Sequence, residues 1–226
     1  MMQRIVEAEL MDDKEQAKAY ANADFEQAEK LFIANLQLHF PASELTGNVL
    51  DLGCGPGNIS FQLINHFPHI NVTGIDGSVE MIKLANNRKK AEINSHDQVT
   101  FITGIIPGDA IPQAHYSVIV SNSLLHHLHQ PEKLWNTIKQ YSSPKTKILI
   151  VDLFRPSSKQ DALALVNKYA ANEPEILQGD FYNSLLAAFT PTEIEQQLLN
   201  AGLTELKVTT ISDRHIAIFG TKKREI

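Results

Sequence analysis

Two stretches of this chain combine residue types and spacings that suit chemistry. The first is Val49-Leu50-Asp51-Leu52-Gly53-Cys54-Gly55-Pro56-Gly57-Asn58. Its alternating glycines, Gly53, Gly55 and Gly57, remove the Cβ atoms that would hold a ligand off the backbone. The amides of such a turn, and the first N–H groups of a helix behind it, lack intrahelical partners and are available to carboxylate or phosphate oxygens. Asp51 precedes the turn, and Asp76 follows 19 residues after Gly57. A carboxylate in the position of Asp76 accepts both hydroxyls of a ribose; capping a helix or a loop is its alternative task. The spacing G-x-G-x-G departs from the dinucleotide pattern G-x-G-x-x-G, because Asn58 stands where the last glycine belongs. An acid inside the turn repels a pyrophosphate and suits a ligand carrying an ammonium, such as an amino-acid head. The second stretch is Ser121-Asn122-Ser123-Leu124-Leu125-His126-His127-Leu128-His129. Its histidines suggest a metal, but no acid or thiol lies at ligand spacing, so no metal is expected.

The elements around these stretches alternate strand and helix. Asn48–Leu52 reads as a buried strand feeding a helix Asn58–Phe67, and Asn71–Asp76 as a second strand feeding a helix Val79–Ala91. That βαβ unit implies a parallel sheet with a right-handed crossover, and puts Gly53–Gly57 and Asp76 at one carboxyl edge. Gln98–Thr103, Tyr116–Val120 and Lys147–Leu153 read as further strands, with residues 104–115 as loop and a helix from Pro131 to Tyr141. Ahead of the sheet, apolar residues recur at helical steps from Asp12 to Leu38, predicting one amphipathic helix that either covers the site's mouth or packs on the sheet flank. Helical pieces at about 158–171 and 181–189, flanking a loop with Pro174 and Gly179, read as an insertion capping the site. Thr190-Pro191-Thr192-Glu193 is a capping box with proline at the first helical position, and Gly202 ends its helix. Leu203–Thr210 and Arg214–Gly220 read as a closing strand pair, and Lys222–Glu225 as a solvated tail.

Bulk properties narrow the partners. The chain has 226 residues, enough for one α/β domain with a full core, and a formal net charge of −6. That charge argues against a broad phosphate-binding face, so nucleic acid is not expected. Cys54 is the lone cysteine, which excludes an internal disulfide. No leader-like segment and no apolar run of membrane-spanning length is seen, so a soluble, cytoplasmic protein without a membrane partner is expected. Oligomeric state is not encoded legibly.

Four matching pieces resemble the class I S-adenosylmethionine-dependent methyltransferases. They are Val49–Gly57, Gly74-Ile75-Asp76-Gly77-Ser78 with Met81, Ser117–Leu128, and Ile148–Pro156. The resemblance implies an α/β Rossmann-like sheet of seven strands, mostly parallel with one antiparallel strand, and helices on both faces. It implies one domain over 1–226: a helical cover at 1–44, a cofactor-binding core at 45–155, a helical insertion at 156–190, and a closing helix and strand pair at 191–226. It implies S-adenosylmethionine as cofactor. Gly53 and Gly55 would let its methionine part lie over the turn, with Asp51 near the amino group. Asp76 would hold the ribose, and Met81 would pack on the adenine or else serve only the core. Gly57, Gly77, Ser121 and Asn122 fall to the cofactor with them. The family often places an acid near the adenine amine after strand three; here Gly104-Ile105-Ile106 stands there and Asp109 is displaced, so that contact is left open.

The segment after strand four lacks the Asn- or Asp-Pro-Pro-aromatic run of nucleic-acid and protein-amide methyltransferases, and is similar to the small-molecule branch. There a Leu-His-His-like run lies beside the transferred methyl. His126 or His127 is thus a candidate general base or substrate anchor, against a packing role below the loop. Arg155 would pair a substrate carboxylate, or else Asp152 or a surface partner. Tyr20 and Tyr182, in the two covers, would hydrogen-bond substrate or cofactor, or simply pack. The expected partner is a small-molecule methyl acceptor. The rivals are a protein or RNA methyltransferase, a non-catalytic cofactor-binding regulator, and an NAD-dependent oxidoreductase.

Overall fold

The computed structural model describes residues 2–91 and 97–224; Glu225, at the end of the expected tail, lies outside them. Seven strands form one sheet: β1 (Gly47–Leu52), β2 (Ile70–Asp76), β3 (Val99–Thr103), β4 (Val118–Asn122), β5 (Lys147–Leu153), β6 (Lys207–Thr210) and β7 (His215–Thr221). Their order is β3-β2-β1-β4-β5-β7-β6. β1 to β5 pair in parallel, and β7 runs antiparallel to both β5 and β6. The order reverses between β1 and β4, and this is where ligands of open α/β sheets bind.

Among the described residues, eight α-helices flank the sheet: α1 (Lys14–Asn22), α2 (Glu26–His39), α3 (Asn58–His66), α4 (Val79–Ala91), α5 (Glu132–Tyr141), α6 (Lys159–Tyr169), α7 (Glu175–Ala187) and α8 (Pro191–Ala201). Side chains alternate across the pleat, and both faces are buried. Val49, Leu149 and Val151 meet Phe32 and Leu36 of α2 and Phe61 of α3 on one face. Leu50, Ile148 and Ile150 meet Trp135 of α5 and Ile194 of α8 on the other. A third cluster joins α6 to α7 through Ala162, Val166, Leu185 and Leu186.

The capping box of α8 forms in full, with Glu193 N donating to Thr190 Oγ1 at 3.3 Å and Thr190 N to Glu193 Oε2 at 2.7 Å. Gly202 closes that helix in the left-handed conformation at φ 72°. Three expectations change. The long N-terminal helix is two, because Asp24 Oδ1 accepts from Glu26 N at 3.0 Å and restarts the chain after Ala23 turns extended. Gly179 lies inside α7, which begins just past Pro174, and not in a loop. Leu203–Leu206 forms a turn, Leu206 N donating to Leu203 O at 3.1 Å, so β6 starts only at Lys207.

Residues 4–11, weakly patterned in sequence, form an extended strap over the carboxyl edge of the sheet. Ile5 N donates to Leu186 O at 3.0 Å, His129 N to Glu9 Oε1 at 2.8 Å, and Ser78 Oγ to Met11 O at 2.8 Å. Among the described residues no helix is long and apolar enough to cross a membrane.

Candidate functional site

The glycine turn is held against the end of β2. Gly53 N and Cys54 N both donate to Ile75 O, at 2.8 and 3.0 Å. Gly55 N donates to Asp76 Oδ2 at 2.9 Å, and Ser78 N to Asp76 Oδ1 at 2.8 Å. The Asp76 carboxylate is thereby fixed by two amides while each oxygen keeps lone-pair capacity for a further donor. Burial raises its pKa against the pull of those amides. Gly55, at φ 53°, has open space where a Cβ would stand, so a ligand can lie on its backbone. Gly57 is glycine for another reason: at φ 88° a Cβ would come within 2.7 Å of the Phe101 ring and 2.9 Å of Phe61. Asp51 is buried at the end of β1 and accepts from Ser60 Oγ at 2.6 Å. Burial pushes its carboxyl up to about 7, against the Ser60 hydrogen bond that lowers it.

Two cavities of about 410 Å³ each meet at this edge. The first runs from Asp51, Gly53 and Gly55 under α1 and α7, past Tyr20, Phe25, Asp180 and Phe181. The second runs from Gly53 and Gly55 past Asp76, Gly77 and Met81 to Ile105 and Ile106. Tyr20, Gly53, Gly55, Asn122, Ser123 and His127 line both. Tyr20 sits in the wall with its phenol pushed up to about 12 by burial, with Asp76 next in effect. Leu10 of the strap would meet a Cβ on Gly77 at 2.5 Å, so the strap covers the second cavity.

The histidine run forms a 3₁₀ turn, Leu125–His127, directly after β4. His126 is buried; its Nδ1 lies 2.5 Å from Asp152 Oδ1 and its Nε2 lies 3.6 Å from Glu7 Oε1. His127 Nδ1 is 3.3 Å from the same Glu7 oxygen, and the two imidazoles lie 4.2 Å apart. Burial alone would lower His126, but the Asp152 and Glu7 carboxylates outweigh it and hold the imidazole above its ordinary range. Burial, then the neighbouring His126, lowers His127 to about 3 and keeps it neutral. Burial raises the Glu7 carboxyl, with His126 opposing. Arg4 clamps the turn from outside, its Nη2 donating to His126 O at 2.8 Å and Leu128 O at 3.0 Å.

A family model described as a methyltransferase domain matches residues 25–208. The chain belongs to the class I S-adenosylmethionine-dependent methyltransferases. Among curated relatives, a malonyl-[acyl-carrier protein] O-methyltransferase 2 of Ilyobacter polytropus is 32% identical over 107 residues, covering 47% of this chain and 39% of the relative. The tetracenomycin polyketide synthesis 8-O-methyl transferase TcmO of Streptomyces glaucescens is 28% identical over 183 residues, covering 77% and 49%. The matched stretch thus spans about half or less of these relatives' length. In fold, the chain resembles the plantazolicin methyltransferase BpumL, solved with a pentazolic desmethylPZN analog and SAH, at a TM-score of 0.71 and 20% identity, covering 95% of this chain and 92% of that one. A SAM dependent methyltransferase from Aquifex aeolicus gives a TM-score of 0.64 at 18% identity, covering 92% and 98%.

Several sequence expectations for this methyltransferase are corrected by where the side chains go. Arg155 does not face either cavity: its Nε donates to Met2 O at 3.0 Å, Nη1 to Ala188 O at 2.8 Å and Nη2 to Glu193 Oε1 at 2.6 Å. Nor does it pair with Asp152, whose oxygens instead meet His126 and the amides of Leu125 and Leu153, each amide at 2.7 Å. Tyr182 packs on the α6–α7 cluster and lines neither cavity. Ser121 is buried and donates to Leu52 O at 2.8 Å, which ties β4 to β1 and leaves the hydroxyl no ligand to meet. Gly57 likewise serves packing. The residues missed are Glu7 and Asp180. Neither carries a local motif; each arrives from an element distant in sequence. Arg214 lines the first cavity with its guanidinium 3.3 Å from the Tyr169 ring centroid.

Proposed function

We propose that this protein transfers the methyl group of S-adenosylmethionine to a small-molecule acceptor held in the first cavity. One observation carries the reading: the Gly55 backbone and the Asp76 carboxylate form a preset cradle at the boundary of two connected cavities, with His127 in the wall they share. The cofactor lies across that boundary. Asp76 accepts the ribose hydroxyls, Met81 with Ile105 and Ile106 encloses the adenine, and Asp51 attracts the amino head. The acceptor approaches from the side of Tyr20, Asn122 and His127. The names of relatives support a small or carrier-bound acceptor, since they include enzymes of malonyl-[acyl-carrier protein] and of polyketide synthesis.

The chemistry is an in-line displacement. The acceptor's lone pair forms a bond to the methyl carbon as the carbon–sulfur bond breaks, and that electron pair returns to sulfur as the neutral thioether. The protein aligns the three atoms and excludes water, which accounts for most of the acceleration. Neutral His127 accepts a hydrogen bond from the acceptor and orients its lone pair on the methyl carbon, while the acceptor's proton passes to solvent. His126, held between Asp152 and Glu7, positions the turn. A labelled-methyl screen of small metabolites and extracted macromolecules tests the reading. Label appearing in small molecules supports it. Label confined to protein or RNA, or tight cofactor binding with no transfer, overturns it.

A further inference from the structure

We propose that Glu7, His126 and His127 form a site for one divalent transition-metal ion of the zinc type, open toward the first cavity. The ligand atoms of the three side chains all lie within 4.8 Å of one another. Glu7 Oε1 stands 3.6 Å from His126 Nε2 and 3.3 Å from His127 Nδ1. Zinc bonds of about 2.0–2.2 Å in a tetrahedral set place neighbouring ligand atoms about 3.3–3.6 Å apart. The carboxylate oxygen is thus at ion-sharing distance from both nitrogens. It is also buried without a hydrogen-bond partner, although buried carboxylate oxygens ordinarily find a donor. An ion would supply what that oxygen lacks.

The surroundings match a metal centre. His126 presents its other nitrogen, Nδ1, to Asp152 Oδ1 at 2.5 Å, and Asp152 is fixed by the amides of Leu125 and Leu153. A carboxylate behind a ligating histidine sets its tautomer and aims the remaining lone pair, here Nε2, at the ion. Glu7 is aimed in turn by Ser184 Oγ, 3.3 Å from Oε2, and by the strap hydrogen bond from Ile5 N to Leu186 O. The carboxylates of Asp152 and Asp180 act on Glu7, and the Arg4 guanidinium opposes them at His126; Asp180 Oδ2 is itself buried without a donor. Ion binding displaces the proton that the carboxylates favour on His126, and the two neutral imidazoles then leave the local balance negative, which favours a cation. Binding gives up only the 3.3 Å contact of His127 Nδ1 with Ala8 O. Two imidazoles and one carboxylate favour zinc, cobalt or iron over magnesium and calcium, which prefer all-oxygen sites.

Both histidines line the first cavity, so the open coordination position faces the acceptor. That consequence rests on the transferase reading. The ion would take an acceptor hydroxyl and lower its pKa, so that its proton passes more readily to solvent. The oxygen then bonds to the methyl carbon and the carbon–sulfur pair returns to sulfur.

The test uses the full chain, stripped with a chelator and dialysed, titrated calorimetrically with zinc chloride and followed optically with cobalt chloride. Wild type is compared with Glu7→Gln and His127→Ala. S-adenosylhomocysteine titration and thermal melting are run on each sample. The expected result is one equivalent of zinc bound by wild type, with cobalt ligand-field bands, and at least a tenfold loss in each variant at unchanged melting temperature and S-adenosylhomocysteine affinity. Magnesium should not compete. Wild type that takes up no zinc, or variants that bind it as wild type does, would overturn the site. Zinc binding without S-adenosylhomocysteine binding would remove the transferase reading and leave the metal site standing.

Discussion

The two cavities are built by different means. The second, running over Asp76, Gly77 and Met81, centres on one contiguous βαβ unit, with the loop after β3 and the turn after β4 completing its wall and the strap closing it. Its key contacts are backbone amides on a carboxylate, Gly55 N and Ser78 N on Asp76. The first cavity shares the glycine turn and the start of α3 but is otherwise assembled from α1, α2, the turn after β4, α6, α7 and the start of β7. Its polar groups are side chains from far apart in sequence, such as Tyr20, His127, Asp180 and Arg214. A cofactor shared by a whole family demands the first kind of construction, fixed and local. An acceptor that differs from member to member is served by the second.

The largest effect should separate the two halves outright. Asp76→Ala removes two charge-assisted hydrogen bonds worth about 3–6 kcal/mol together. Turnover at low cofactor concentration should fall about 10²–10⁴-fold, while circular dichroism stays native and the acceptor KM changes little. Turnover within a few-fold of wild type would dissolve the distinction between the cavities. Next, His127→Ala should lower kcat roughly 10²-fold by loss of acceptor orientation and leave cofactor affinity within a few-fold, as measured by single-turnover kinetics. An unchanged kcat would move His127 from chemistry to packing.

A pair of glycine variants sharpens the comparison within the turn. Gly57→Ala meets the left-handed penalty and drives a methyl into Phe101 and Phe61, about 2–5 kcal/mol in all; its melting temperature should fall by roughly 5–15 °C. Gly55→Ala meets only the conformational penalty, about 1–2 kcal/mol, yet should weaken cofactor binding more than Gly57→Ala does relative to its stability loss. Equal losses of binding per unit of stability would mean that Gly55 has no ligand over it. The smallest effect concerns pH. Burial pushes the Asp51 carboxyl up to about 7, and an ammonium beside it would favour its charged form and lower that value. Affinity should therefore be full above pH 7 and decline as pH falls through it, with proton release on binding near neutrality. Calorimetry in two buffers of different ionisation enthalpy measures that release; its absence would place the amino head away from Asp51.

The same division explains what was legible in the sequence. Sheet, crossover and glycine turn are written in short contiguous runs, so Gly53, Gly55, Asp76 and Met81 emerge together at one edge. Arg155 was misplaced because its types of partner cannot be counted from spacing: carbonyls of Met2 and Ala188 and the N3 acid of a capping box consume its donors. The break between α1 and α2 was invisible because Ala21, Phe25 and Ala28 continue the apolar period through it, while one side-chain bond from Asp24 resets the helix. Glu7 was out of reach altogether. Its segment has no periodicity, and only the fold brings it next to His126 and His127, 119 and 120 positions later. The absence of an acid at ligand spacing in sequence was therefore no guide to the acid in space.

One measurement bears on the whole account: calorimetric titration of wild type and Asp76→Ala with S-adenosylmethionine and S-adenosylhomocysteine. The account predicts one-to-one binding of both by wild type and at least a 100-fold loss in the variant, in line with the two hydrogen bonds removed. No binding by wild type, or equal affinity in the variant, would contradict it.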